Sequence, residues 1–130
     1  VTTTQDRYEW GKKEIEQRVN HPKFHMFFAV HEIEAWLFSQ PEIFPDYIPK
    51  KLFEGLPKPE EIDFDSPPAK RLEQTHKALI EQQVISHSYR KISHGLGLFK
   101  SLDPERACEA CPYLRRMLDI LLRVSKDAGL

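Results

Sequence analysis

The chain has 130 residues, 40% of them apolar and 30% charged, and its acids and bases cancel to a net charge of −1. That length suits one core, and the near-neutral balance excludes a global electrostatic footprint for nucleic acid or membrane, so any such binding has to be local. The longest apolar stretch, around Phe24 to Val30, is far short of the roughly 20 residues a membrane helix needs, no signal peptide is expected before it, and two cysteines do not make a secreted disulfide framework. The expectation is a cytoplasmic protein with no membrane partner.

Val1-Thr2-Thr3-Thr4 is β-branched and reads as the end of a strand. Because the chain opens on Val1, an amino-terminal piece is expected to precede it. Trp10, Ile15 and Val19, with charges between them, predict a helix over Tyr8 to Val19 despite Gly11, stopped by Asn20-His21-Pro22. Phe24 to Val30 is a nearly continuous apolar run of strand length, the pattern of a central strand covered on both faces. Strand, helix and strand then make a right-handed βαβ unit with parallel strands. Ile33, Trp36 and Leu37 predict a short helix over Glu32 to Ser39.

Gln40 to Pro68 holds most of the ten prolines, which predicts short helical pieces and extended connections anchored by Phe44, Tyr47, Ile48, Leu52 and Phe53. Ser66-Pro67-Pro68 reads as an N-cap and first turn leading into a helix from Ala69 to Gln82. Ser88 to Leu102 reads as helical with a break near Gly95 and Gly97, Asp103-Pro104 as another helix start, and Tyr113 to Val124 as an amphipathic final helix. The predicted fold is therefore α/β: a partial parallel sheet followed by a mostly helical carboxyl-terminal half. It is read as a single domain over 1–130, with a βαβ-helix portion (1–39), a Pro-rich connection (40–68) and a helical portion (69–130).

In open parallel sheets, ligands gather at the carboxyl ends of strands, where this reading puts Asp6, His31, Glu32 and Glu34. Carboxylates so grouped are the oxygen ligands that magnesium takes. Glu32 and Glu34 equally suit the positive end of the helix they begin. A single histidine such as His31 is more often structural than a ligand. Cys108-Glu109-Ala110-Cys111 is half of a zinc motif without its partner half, and reads as buried structural cysteine. Lys70, Arg71, Arg90 and Lys91 near helix starts suit either phosphate or a solvated face.

His31-Glu32-Ile33-Glu34-Ala35-Trp36-Leu37-Phe38 resembles the HEfEaLLF signature of the bacterial domain of unknown function 4276 family. Asp6-Arg7-Tyr8 resembles the family's D-x-Y, Pro68-Ala69-Lys70-Arg71-Leu72 its PSKRL, Tyr89-Arg90-Lys91 with Gly95 its Y-x-K and glycine, and Cys111-Pro112 the CP that opens its last helix. The chain resembles the carboxyl-terminal part of such a protein. The resemblance implies a Toprim-related α/β fold, often encoded beside an ATPase in anti-phage defence systems, in which acidic residues hold magnesium for phosphodiester chemistry. By that resemblance Asp6 takes the aspartate station, and Glu32 and Glu34 the next acidic one. The sequence departs from the Toprim pattern where Gln5 and Arg7 flank Asp6 in place of a D-x-D pair.

Two functional expectations follow. In the first, Asp6, Glu32 and Glu34 are catalytic and hold magnesium or manganese, while Lys70, Arg71, Arg90 and Lys91 meet the phosphates of nucleic acid. In the second, the chain is a non-catalytic partner of an ATPase subunit, docked through its helical half. A metal-free substrate-binding domain, with the Pro-rich segment covering a pocket, stays open beside them.

Overall fold

A computed structural model describes residues 3–54, 58–62 and 64–130, apart from the side chain of Glu32. Its elements are α1 (Thr4–Val19), α2 (Glu32–Leu37), α3 (Pro68–Glu81), α4 (Leu96–Lys100), α5 (Pro104–Ala110) and α6 (Pro112–Asp127). Three short 3-10 turns follow α2, and one turn of π-helix over Lys91–Gly95 leads into α4. Among the described residues no strand forms, so the expected α/β fold with a βαβ unit and parallel sheet is overturned.

Both strand readings fail for identifiable reasons. Val1 and Thr2 lie outside the described residues, but Thr3 is an N-cap. Its hydroxyl accepts from the Asp6 N–H at 3.1 Å and its own N–H donates to Asp6 Oδ2 at 3.0 Å. This reciprocal capping box starts α1 four residues before the predicted Tyr8. At the other end Asn20 sits in the left-handed region at φ 48°, where its short polar side chain is well tolerated, and closes the helix onto Glu16 O.

Phe24 to Val30 is an irregular strap without a sheet partner among the described residues. At Met26 its backbone is satisfied by side chains of α1 instead: Lys12 Nζ donates to Met26 O at 3.0 Å, and the Met26 N–H donates to Glu16 Oε1 at 3.1 Å. Phe28 packs edge-on against Tyr8 and lies so close to α1 that a Cβ on Gly11 would come within 3.1 Å of its ring. Gly11 thus sits inside a helix, at a propensity cost, because the strap crosses there.

The described parts of the Pro-rich segment form the expected short helical turns, but they lie over a shared helical core and not over a sheet edge. Leu37, Phe38, Phe44, Ile48, Ile62, Leu72, Leu79 and Tyr89 are buried together, with Tyr47, Leu52 and Phe53 partly buried against them. A second cluster, Ala107, Cys111 and Leu114, packs with Trp36 and Met117. α2 therefore stands between the clusters, giving Leu37 and Phe38 to one and Trp36 to the other.

Two polar devices join distant segments. Buried Gln40 uses both ends of its amide on the Asp103 backbone, donating to its carbonyl and accepting from its N–H, each at 2.8 Å. Buried Glu60 accepts from the N–H groups of Tyr113 (2.9 Å) and Leu114 (3.1 Å), capping α6 from outside that helix. Tyr8 stacks on Tyr113, and Glu9 pairs with Arg116, so α1 leans on the start of α6.

Candidate functional site

The acids expected to share a sheet edge occupy different environments. Asp6 is exposed on the first turn of α1, and its bonds to the Thr3 backbone and hydroxyl hold its carboxyl below the usual value. Glu34, on α2, is completely buried; Oε1 accepts from the Tyr89 hydroxyl at 3.3 Å, and Oε2 has no hydrogen-bond partner among the described residues. The Glu32 side chain lies outside the described residues. No group of three or more His, Cys, Asp or Glu among the described residues is placed to hold a metal ion.

The basic residues divide. Lys70, in the first turn of α3, and Lys91, at the start of the π-turn, line one open groove of about 650 Å³ together with His31, Phe64 and Glu73. Lys70 Nζ also donates to Asp65 O at 3.1 Å, which holds the chain leaving Phe64 against α3. Arg71 points elsewhere: its Nε donates to Ser66 O at 2.7 Å and it lines a separate groove with Leu52, Glu54 and Thr75. Arg90 is exposed, and its backbone N–H donates to His94 Nδ1 at 2.8 Å. Burial, with the charges of His87, His76 and Arg90, lowers the His94 pKa.

Two side chains complete the groove without having been anticipated as site residues. Phe64 is 45% exposed, and the His31 ring lies against it with centroids 4.5 Å apart. The Arg7 guanidinium sits 4.8 Å from the Phe64 centroid, and Arg7, His31 and Phe64 line a smaller adjoining cavity of about 240 Å³. His31 reaches this position from φ 59°, a left-handed conformation uncommon for a side chain of its size. Arg7 was visible only as a neighbour of Asp6. Phe64 lies among prolines with no periodicity to assign it a face, so no sequence signal could have found it.

The two cysteines are free thiols, and burial pushes Cys111 up to about 12, the character of a core residue rather than of a reactive thiolate. No helix among the described residues is long and apolar enough to cross a membrane.

A protein-family model described as "Domain of unknown function (DUF4276)" matches residues 2–122. The match runs along nearly the whole chain and does not single it out as a carboxyl-terminal part. No curated protein and no solved structure matches it.

Proposed function

We propose, from the premise that this chain belongs to the DUF4276 family, that it is a nucleic-acid-binding module whose groove beside Phe64 holds backbone phosphate. The supporting observation is that Lys70 and Lys91, from elements distant in sequence, line one groove with His31, and that Arg7 reaches the Phe64 ring bordering it. Lys70, Lys91 and Arg7 so gathered give local attraction for phosphate on a chain whose net charge is only −1. Fluorescence anisotropy of a labelled oligonucleotide tests the reading. Binding should weaken as salt rises and should fall in the Lys70→Ala/Lys91→Ala double variant. Salt-independent binding, or an unaltered double variant, rejects it.

Metal-dependent cleavage within an anti-phage defence system is the stronger form of this proposal, with Asp6, Glu32 and Glu34 as catalytic ligands. The observation in its favour is the buried Oε2 of Glu34, which has no hydrogen-bond partner among the described residues. Against it stand the exposure of Asp6 and its engagement with Thr3. Bound magnesium or manganese would supply Lewis acidity and an activated water. Plasmid nicking that needs the metal and is lost in Glu34→Ala supports cleavage; no nicking, or nicking unchanged in that variant, leaves binding alone. A second reading, docking to an ATPase subunit, is favoured by Leu121, Leu122 and Val124, which α6 leaves exposed. Co-purification with that subunit, lost in Leu122→Glu, is its test.

A further inference from the structure

We infer that the groove's occupant is single-stranded nucleic acid, held with one base stacked on Phe64; this rests on the phosphate-binding reading above and names its substrate class. Phe64 is a large ring left 45% exposed outside both buried clusters, in a chain that buries Phe38 and Phe44 almost fully. It borders two cavities at once, so a flat group against it is continuous with space on either side. The larger cavity, about 650 Å³, lies within the roughly 300–1,000 Å³ of sites that take small-molecule-sized groups.

The cations are arranged around the ring rather than in a uniform stripe. Lys70 and Lys91 line the larger cavity, Arg7 lines the smaller, and His31 lies between the two against Phe64. Glu73 interrupts the positive lining. A duplex presents its phosphates along a regular backbone and hides its base faces in the stack, so it has no use for the ring. A single strand can turn a base out onto an aromatic side chain while its flanking phosphates reach separate cations.

Arg7 at present occupies the Phe64 ring by a cation–π contact. At an exposed position such a contact is weaker than the stacking of a base on an aromatic ring. An arriving base therefore displaces the guanidinium, and Arg7 turns to a phosphate, so the exchange sacrifices one weak contact for two stronger ones.

The test compares the full chain with labelled single-stranded and matched hairpin-duplex oligonucleotides of one length. The single strand should bind more tightly. Phe64→Ala should lower its affinity about tenfold with duplex affinity unchanged, and Phe64→Trp should retain it. A 2-aminopurine in the single strand should change its emission when the unaltered chain is bound and not when Phe64→Ala is bound at saturation, a readout of the base leaving its own stack for the ring. Equal effects of Phe64→Ala on both oligonucleotides, no effect on the single strand, or the same emission change with both chains overturns the inference. If Lys70→Ala/Lys91→Ala still weakens binding in those cases, phosphate recognition survives and only the stacking inference falls. If the double variant also binds normally, the underlying reading falls with it.

Discussion

Glu60 and Asp6 are both carboxylates that hold helix N–H groups, and burial separates their electrostatics. Asp6 keeps its solvent, so the bonds to Thr3 dominate and lower its pKa; Glu60 is 1% exposed, and loss of solvent outweighs the Tyr113 and Leu114 N–H bonds and raises its pKa. The linkage signs are opposite. Asp6 contributes stability above its ordinary pKa that is lost as pH falls through its lowered value. The contribution of Glu60 is fully present below its ordinary carboxylate pKa and is lost as pH rises through its raised one. Glu60→Gln removes the second titration and keeps one amide oxygen as acceptor, so the decline of Tm with rising pH over that window should flatten. Differential scanning fluorimetry across acidic pH measures it, and an unchanged profile would place the titration elsewhere.

At the level of elements, side chains replace backbone ladders. The strap over Phe24 to Val30 depends on Lys12 and Glu16 for the polar groups of Met26. Glu16→Ala should speed hydrogen exchange at the Met26 amide and cost about 1 kcal/mol of stability, the net worth of an intramolecular hydrogen bond. Unchanged exchange would mean that packing of Phe28 on Tyr8 alone holds the strap. The Gln40 clamp on Asp103 has larger consequences because it is buried and uses donor and acceptor together. Gln40→Leu keeps similar bulk but strands both backbone groups, and should cost about 2–3 kcal/mol in urea unfolding. A loss below about 0.5 kcal/mol, the usual effect of a surface change, would show that the clamp is dispensable.

For the whole molecule, the near-zero charge makes binding a local matter that can be counted. Among the described residues three cations, Arg7, Lys70 and Lys91, border the groove and its adjoining cavity. With ~0.7 counterion released per phosphate on a single strand, the slope of log affinity against log salt should be about −2. A slope several times steeper would mean that other faces of the molecule take part.

Helical content in the carboxyl-terminal half and the turns of the Pro-rich segment were legible because their signals are local. Prolines sit at the first positions of α3, α5 and α6, Asp103 caps α5, and apolar residues recur at helical spacing in α6. The sheet was misread because an apolar run of strand length has the same appearance whether it pairs with a strand or lies across a helix. Thr3 and Asp6 are likewise a capping box only if the next residues coil. The expected Lys70 and Lys91 meet in one groove, but Arg71 turns to another, since residues adjacent on a helix diverge by about 100°.

By itself the sequence determined family membership, the proline-marked starts of α3, α5 and α6, and the residue types available for phosphate. Those properties reside in short stretches of chain. Only the tertiary structure decided that Glu34 is buried against Tyr89, that Glu60 caps a helix more than fifty residues away, and that Phe64 is bordered by Arg7 and His31. Each depends on which distant segments pack together, a choice made by the free energy of the whole core rather than by local preference.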